Sequence, residues 1–314
     1  MEVFDLGLAF VWEYDTDFIN LIEEILHKAG LSTFVVQGHN IDEVTEKVRE
    51  RKLFFRFYLD RASDAEPSFE EIAKILTRRK TTIINPYKKV HNAIDKASMH
   101  LEFINAGLNV PYSIIIPPRN EFENIKLTVE DLSSLGRPFI IKPCNTTGGG
   151  VGVVTGAETL MEILQQRIIN SNDKYILQEK IYPTILEGRR AWFRCFWAFG
   201  KPVAVWWDDK THIYHELSEE EMLEFGLRRL HYKTRIISRI TELDFFSTEI
   251  VLNEKKKFIV IDYVNDQCDM RFKSKHYDGV PDSIVIQIIN NLKSFILRIK
   301  KLEAINRNIQ GQSE

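Results

Sequence analysis

The sequence predicts a mixed α/β fold made of several small units. Residues 1–85 alternate between short apolar strands and amphipathic helices, an order typical of a parallel sheet with helices on its faces. After residue 139 the strands come in pairs joined by turns, which indicates partly antiparallel units. The length of 314 residues favours about two domains.

Composition excludes several classes of protein. The net charge of −3 offers no basic field for nucleic acid, and the longest apolar runs, such as 203–207, are too short to cross a membrane. The first residues lack the basic segment of a signal peptide. Three widely spaced cysteines form no disulfide framework and no CxxC metal motif, which favours a reducing compartment. We therefore expect a cytoplasmic protein that binds neither nucleic acid nor membranes.

The N-terminal unit follows from two hydrophobic periods. Apolar residues at positions 18, 21, 22, 25 and 26 have helical spacing, and Gly30 follows as a stop signal. On the same grounds we predict helices over 18–28, 41–51 and 69–78, and strands over 3–12, 32–36, 54–59 and 81–84. Asn85-Pro86 ends this rhythm, and the next apolar stripe predicts one continuous helix over 89–106, ending at Gly107.

The rest of the chain has a different texture. We predict strands over 139–142, 152–155 and 175–179 around a helix at 159–169. Gly200-Lys201 joins strands 191–199 and 202–207 in a hairpin. A helix over 233–243 then precedes a second hairpin, 245–252 with 258–264, and the chain closes with a helix over 281–302.

A glycine-rich loop carries the first chemical signal. The strand at 139–142 delivers Lys142, and Gly148, Gly149 and Gly150 follow within a few residues. Consecutive glycines expose backbone N–H groups, which cradle phosphates, and a nearby lysine supplies the countercharge. The loop is neither a Walker A motif nor a Rossmann fingerprint, because the spacing and the following element differ. The alternative is a flexible hairpin loop with an incidental lysine.

The C-terminal hairpin carries the second signal. The positions of Glu249 and Asp262 average to a point between Lys255 and Lys256, in the middle of the turn. An even-length loop centred there places the two carboxylates opposite each other, with Cβ atoms about 4.5–5.5 Å apart. Such a pair repels unless a cation bridges it, which suggests a metal site. The alternative is two solvated carboxylates on an exposed sheet face.

Other polar residues are candidates for binding a second substrate. Asp60 and Arg61 lie at the C-terminal end of an N-domain strand, where open parallel sheets bind ligands. Further along the chain, Arg190, Lys210 and His212 are also candidates. Arginines would suit an anionic substrate, but a role in stabilising the fold explains them equally well.

Taken in order, several segments resemble the ATP-grasp superfamily, which includes the D-alanine–D-alanine ligases and the glutamate ligases. The resemblance spans about residues 85–266. Its pieces are Asp95-Lys96, Pro138–Pro143 with the glycine loop, Leu177–Ile181, Arg194-Cys195-Phe196 leading to Gly200–Val203, and Glu249 with Asp262 and Asn265. No single piece is decisive, but five pieces occur in the family's order.

The resemblance implies a role for each matching residue. Lys96 and Lys142 would contact the ATP phosphates, and Arg194 would steady the phosphates or the developing acyl phosphate. The loop from Asn145 to Val151 would close over the phosphates. Metal and nucleotide would be held by further residues: Gln178, Glu179, Lys180 and Ile181 as the adenine hinge, Glu187 at the ribose, and Glu249, Asp262 and Asn265 on one or two Mg²⁺ ions.

Two departures from the family pattern bear on these roles. The family places its metal-binding asparagine two residues after the last acid, whereas Asn265 comes three residues after Asp262. In a regular strand Asn265 would face away, so a β-bulge near Tyr263 or Val264 is needed to turn it back. Asp266 is the alternative third ligand. Glutamate ligases also carry a ribose-binding aspartate where this chain has Trp192. We favour Glu187 for the ribose instead, because it lies eight residues after Glu179, where the peptide-ligase branch of the family places its ribose acid to within one residue.

The resemblance implies a fold with three parts: an N-terminal parallel α/β domain at 1–88, a central part with a small lid subdomain at 89–180, and a C-terminal subdomain at 181–314. It also implies an ATP-dependent, ADP-forming ligase that activates a substrate carboxylate as an acyl phosphate for attack by an amine or similar nucleophile. Two alternatives are a small-molecule kinase and a nucleotide-binding module that has lost catalysis. The identities of the two substrates and the oligomeric state are left open.

Overall fold

The computed structural model describes residues 1–145 and 151–310. Its first unit is a four-stranded sheet in the order β2-β1-β3-β4, in which every pair is parallel, as predicted. The strands alternate along the chain with three amphipathic helices. The bounds are β1 (Glu2–Phe10), α1 (Thr16–Lys28), β2 (Thr33–Val36), α2 (Ile41–Arg49), β3 (Leu53–Arg61), α3 (Ser68–Arg78) and β4 (Thr82–Ile84).

The helix predicted over 89–106 is two helices. α4 (Tyr87–Ile94) ends at Asp95, whose backbone is extended, and α5 (Lys96–Asn105) begins directly after it. The Asp95 side chain accepts a hydrogen bond from the Ala97 amide and so caps α5. The predicted apolar stripe does not continue through the break, because its members Leu101 and Ile104 are exposed, and α5 instead buries Ala97, Met99, His100 and Phe103.

The central unit is an antiparallel sheet in the order β5-β8-β6-β7. One of its faces packs on two helices through Phe139, Ile141 and Leu177, among others. The other face, which carries Lys142 and Gln178, looks toward the C-terminal unit. The bounds are β5 (Ser113–Ile116), α6 (Val129–Leu135), β6 (Phe139–Pro143), β7 (Val154–Ala157), α7 (Leu160–Ile169) and β8 (Tyr175–Glu179).

The C-terminal unit contains a five-stranded sheet in the order β13-β12-β11-β14-β15. One face shares a core with β1, β3, α1 and the last helix, and the other packs on α5 and on the helix before β14. The bounds are β9 (Ile185–Leu186), β10 (Arg189–Arg190), β11 (Trp192–Ala198), β12 (Lys201–Trp207), β13 (Tyr214–His215), α8 (Glu219–Glu224), α9 (Arg228–Thr241), β14 (Phe245–Leu252), β15 (Phe258–Asn265) and α10 (Asp282–Gln310).

Several short elements were not predicted, although the sequence carries signals for three of them. α6 and α8 each begin with a capping box, Thr128 with Asp131 and Ser218 with Glu221. β5 is an apolar run that ends before Pro117-Pro118. Over the part of the chain that the structure describes, no helix is both long and apolar enough to cross a membrane. The predicted mixed α/β class is confirmed.

Candidate active site

Three neighbouring strands bring Arg194, Glu249 and Asp262 into one row. Arg194 on β11 pairs with Glu249 on β14, and Glu249 pairs with Asp262 on β15. The row lies on the sheet face whose apolar residues belong to the core shared with the N-terminal sheet and α10. The predicted opposition of the two carboxylates is therefore confirmed.

The predicted centre of the hairpin loop, between Lys255 and Lys256, is wrong, however. The outer ladder pairs Leu252 with Phe258 and Ile250 with Val260, so the hairpin is centred on Lys255 rather than between Lys255 and Lys256. A regular ladder with this centre would place Ile261 opposite Glu249. An extra residue between the Val260 and Asp262 pairs restores the match, because β15 advances two residues where β14 advances one.

A second irregularity lies between Asp262 and Asn265. Asn265 pairs with Ser247, and Asp262 pairs with Glu249, so β15 again contains one residue more than β14. Ser247 and Glu249 are two residues apart and share a face, and their partners must share that face too. The β-bulge predicted near Tyr263 or Val264 is confirmed, and it turns Asn265 to the side of Asp262.

Glu249 does not depend on a metal for its countercharge. Its Oε1 lies 2.6 Å from Nη2 of Arg194, and its Oε2 accepts a hydrogen bond of 2.9 Å from the Trp192 indole. The repulsion expected between Glu249 and Asp262 is therefore relieved by the protein's own guanidinium. Trp192, the departure from the family pattern, holds a candidate metal ligand, a role that sequence reasoning missed.

Arg194 is held by the same face of the sheet. Its guanidinium lies 4.7 Å from the ring centroid of Trp207, and only 12% of its side chain is exposed. Burial alone would lower the pKa of Arg194, but Glu249 raises it above the ordinary value. Its buried Nε has no hydrogen-bond partner among the described residues. Arg194 is thus a fixed cation beside the two carboxylates.

Lys142 reaches the same place from the central sheet. It alternates with the residues of β6 that face α6 and α7, so its side chain projects from the opposite face. Its Nζ donates to the carbonyl of Ile261, the extra residue of β15, at 3.1 Å. Burial lowers the pKa of Lys142, while Asp262 and Glu249 act in the opposite direction and Lys96 adds to the lowering. The ammonium of Lys142 therefore lies close to both carboxylates and to Lys96.

Lys96 and Asn145 flank Lys142. Lys96 is the first residue of α5, and its amide donates to the carbonyl of Cys144, two residues after Lys142. The Asn145 side chain and amide both donate to Asp173. Val151 is exposed, and Gly148, Gly149 and Gly150 lie outside the described residues.

The four predicted hinge residues divide into two groups. Glu179, Lys180 and Ile181 line a cavity of about 690 Å³, whose opposite wall is the turn of the β14–β15 hairpin. Glu179 is tied to Tyr112, whose amide donates to its carboxylate at 2.8 Å. Gln178, in contrast, is only 2% exposed and donates from Nε2 to the hydroxyl of Tyr263 at 2.8 Å. The Gln178 side chain therefore belongs to the packing behind the hinge.

Glu187 lies in a tight turn. It has a φ of 45°, the following Gly188 has a φ of 78°, and Leu186 pairs with Arg189 across them. Two consecutive left-handed residues are typical of a type I′ hairpin turn, which exposes Glu187 to solvent. The ribose role of Glu187 stays a prediction.

The structure uses several of the proposed substrate groups for other contacts. Arg61 is buried, with a bidentate pair to Asp15 at 2.7 and 2.8 Å and a hydrogen bond to the Cys268 carbonyl. Asp60 caps its own turn by accepting from the Ala62 and Ser63 amides. Arg190 forms a bidentate pair with Asp209. His212 stacks on Trp207, and Lys210 is exposed in the same loop.

The donor set suits a hard divalent cation. Glu249, Asp262 and Asn265 offer two carboxylates and an amide oxygen on one face, and oxygen ligands are those that Mg²⁺ prefers. Within residues 1–145 and 151–310 there is no group of three or more His, Cys, Asp or Glu side chains placed to hold a metal ion. A metal here would therefore complete its shell with water or phosphate oxygens, as Mg²⁺ usually does.

Comparison with known proteins identifies the fold. Neither a protein-family model nor a curated protein matches the chain. Among solved structures, D-alanine–D-alanine ligase from Bacillus anthracis complexed with ATP is similar, with a TM-score of 0.65 and 13% identity, covering 95% of this chain and 98% of that one. A RimK domain ATP-grasp protein from Sphaerobacter thermophilus has a TM-score of 0.62 and 16% identity, with 93% and 99% covered. The ATP-grasp ligase PsnB complexed with precursor peptide PsnA2 and AMPPNP gives 0.60 and 13%, with 92% and 98% covered.

Proposed function

We propose that this chain, which has the ATP-grasp fold, is an ATP-dependent, ADP-forming ligase that joins a carboxylate to an amine or a similar nucleophile. The observation that carries the proposal is the meeting of Lys142 and Arg194 with Glu249, Asp262 and Asn265 where the central and C-terminal sheets face each other. Cations of this kind neutralise transferring phosphates, and oxygen ligands hold the accompanying metal.

Each residue has a distinct task in this proposal. Lys142 and Lys96 bind phosphate oxygens of ATP, and the Lys142 ammonium exchanges its contact with the Ile261 carbonyl for the nucleotide. Arg194, fixed between Glu249 and Trp207, faces the charge that develops as the substrate carboxylate attacks the γ-phosphate. ADP leaves, and the nucleophile then displaces phosphate from the acyl phosphate. Mg²⁺ on Glu249, Asp262 and Asn265 would supply additional positive charge for the phosphates.

The hinge cavity supports binding of the adenine base. Glu179, Lys180 and Ile181 line it, together with the turn of the hairpin that carries the carboxylates. We assign Gln178 no direct contact with the base, because its amide is bonded to Tyr263. The three cysteines are free and buried, which supports a reducing compartment such as the cytoplasm.

The alternative of a nucleotide-binding module without catalysis was suggested because Asn265 comes one residue later than in the family pattern. The bulge in β15 removes this reason, because it returns Asn265 to the face of Asp262.

The alternative of a kinase is separated from a ligase by the reaction products, because a kinase would use the same nucleotide site. The test is to incubate the protein with Mg-ATP and pooled amino acids, amines and small carboxylic acids, and to analyse nucleotide, phosphate and new masses.

A ligase releases ADP and inorganic phosphate in equal amounts and forms a product of two condensed substrates. A kinase releases ADP while the phosphate stays on one substrate. An inactive module leaves ATP intact under every combination, a result that would contradict the proposal provided that ATP binding is shown by calorimetry.

The phosphate role of Lys142 gives the first mutational prediction. Lys142→Met keeps the apolar stem and removes the charge, and it should weaken Mg-ATP binding by about 2 kcal/mol, roughly thirtyfold in Kd. Isothermal titration calorimetry measures the change. Lys201→Ala, at an exposed lysine that begins β12, is the control and should bind as the wild type does. Wild-type affinity in Lys142→Met would argue against the nucleotide site.

A further inference from the structure

Tyr263 occupies the bulge that separates Asp262 from Asn265. Its side chain points away from those two residues, and it belongs to the core between the C-terminal sheet and α5. Only 2% of Tyr263 is exposed, and its ring meets Phe103 edge-on with centroids 5.2 Å apart. One of the two residues of the bulge is therefore anchored on the far side of the sheet.

The hydroxyl of Tyr263 is bonded to side chains from other elements, among them Gln178, His100 and Ser113. Nε2 of Gln178 lies 2.8 Å away and can only donate, so the hydroxyl oxygen is the acceptor. Nδ1 of His100 lies 2.5 Å from the same hydroxyl, and the tautomer of the imidazole decides which of the two groups donates. Burial lowers the pKa of His100, in agreement with a neutral ring.

These contacts join three elements that carry proposed site residues. Gln178 directly precedes the hinge residue Glu179 on β8, and His100 lies on α5, the helix that begins at Lys96. On the other strand of the hairpin, Oγ1 of Thr248 donates to the Asp262 carbonyl at 2.8 Å. The bulge is thus held from the central sheet, from α5 and from β14.

We infer that Tyr263 is a positioning residue for the metal site: its hydroxyl, fixed by Gln178 and His100, holds the bulge that turns Asn265 to the face of Glu249 and Asp262. This inference rests on the proposed function. Without the bulge, the alternation of a regular strand would direct Asn265 to the opposite face. Because the same hydroxyl is bonded to the hinge strand, nucleotide and metal are bound by parts of one connected framework.

The test is Tyr263→Phe, which removes the hydroxyl and keeps the ring. The probe is Mn²⁺, titrated into protein saturated with ADP and followed by electron paramagnetic resonance. We expect Mn²⁺ to bind about tenfold more weakly than to the wild type, the loss typical of outer-shell partners of metal ligands. The Kd of ADP alone, measured in EDTA, should change less than about twofold, since the hinge backbone is retained.

Tyr175→Phe is the matched control. Tyr175 is equally buried and its hydroxyl donates to the Gln166 carbonyl at 2.7 Å, but on the side of the central sheet away from β15. It should lose some stability and keep Mn²⁺ affinity. Thr248→Val removes the second anchor of the bulge and should weaken Mn²⁺ binding as Tyr263→Phe does. It provides the test if Tyr263→Phe does not fold.

Three results would overturn the inference. Wild-type Mn²⁺ affinity in both Tyr263→Phe and Thr248→Val would show that the bulge needs no such anchors. An equal loss in Tyr175→Phe would show a general effect of removing a buried hydroxyl. A wild-type protein that binds ADP but no Mn²⁺ would remove the metal site itself, and with it the proposed function.

Discussion

At the scale of single residues, the charge of Glu249 is balanced inside the protein. Arg194 lies 2.6 Å from one carboxylate oxygen, and the Trp192 indole donates to the other. Removing the charge of Glu249 would therefore leave the buried guanidinium of Arg194 without its ion pair, so the loss of this charge should destabilise the protein even without metal. The carboxylate of Asp262, in contrast, accepts no side-chain hydrogen bond within the described part of the chain.

Asp266 gives a pH-dependent prediction. Burial raises the pKa of its carboxyl to about 6, and nearby Asp64 adds to the effect. As the pH rises from about 4 to about 6, the unfolded chain loses this proton while the folded protein retains it, so stability falls across that window and stays lower above it. Asp266→Asn should consequently raise the melting temperature at pH 7.5 and give no gain at pH 4.

Differential scanning calorimetry at the two pH values tests this prediction. Asp42→Asn, on the exposed first turn of α2, is the control and should show no gain that grows with pH. Because the register places Asn265 on the Glu249 face, Asp266→Asn should also keep Mg²⁺-dependent ADP release. A loss of that release would instead identify Asp266 as the third metal ligand.

At the scale of elements, the break between α4 and α5 determines where Lys96 lies. Asp95 caps α5 through the Ala97 amide and the Ser98 hydroxyl, and it forms an ion pair of 2.5 Å with Lys174 beside β8. The cap therefore fixes the first turn of the helix against the central sheet. In this arrangement the Lys96 amide donates to the Cys144 carbonyl, two residues after Lys142.

Asp95→Ala should lower stability by about 1–2 kcal/mol, the usual cost of losing an N-cap, and should also weaken ATP binding because Lys96 is no longer held. Urea unfolding and calorimetry measure the two effects. Thr128→Ala removes a comparable cap from α6, on the exposed side of the central unit, and should cost stability while leaving ATP affinity unchanged. Equal ATP binding by both variants would contradict the role given to Asp95.

At the scale of the whole molecule, the N-terminal and C-terminal units are joined by polar contacts as well as by their shared core. Arg61 at the end of β3 binds Asp15 and the Cys268 carbonyl beyond β15. Asn85 after β4 accepts from the Asp244 and Phe245 amides at the start of β14. These contacts hold the C-terminal edge of the parallel sheet against the start of β14 and the segment that follows β15.

Arg61→Met should therefore destabilise the protein by about 3–5 kcal/mol, because Asp15 is left buried without its partner. Arg56→Met, at a half-exposed arginine with pairs at 3.5 and 3.6 Å, is the control and should cost less than about 1 kcal/mol. Urea unfolding provides both values. The double variant Arg61→Met with Asp15→Leu should recover much of the loss, and a failure to do so would indicate that Arg61 acts mainly through Cys268.

Much of this architecture is determined by local features of the sequence. The periods of two and 3.6 residues are set by how strand and helix side chains alternate, so they predicted the parallel sheet and the two later hairpins. The same local features predicted two separate signals, the glycine-rich loop with Lys142 and the opposed Glu249 and Asp262. Only the resemblance to the ATP-grasp superfamily grouped these three residues, because Lys142 and the two carboxylates lie on different sheets.

The tertiary structure alone decided which partner each of these groups has. Neither the extra residue Ile261 of β15 nor the ion pair of Arg194 with Glu249 follows from spacing along one strand, because both depend on how three neighbouring strands pair. The same holds for Arg61, whose position suggested a substrate site but whose buried hydrogen bond to the Cys268 carbonyl joins two units. Burial makes each unpaired charge costly, and the partners that remove this cost come from distant parts of the chain.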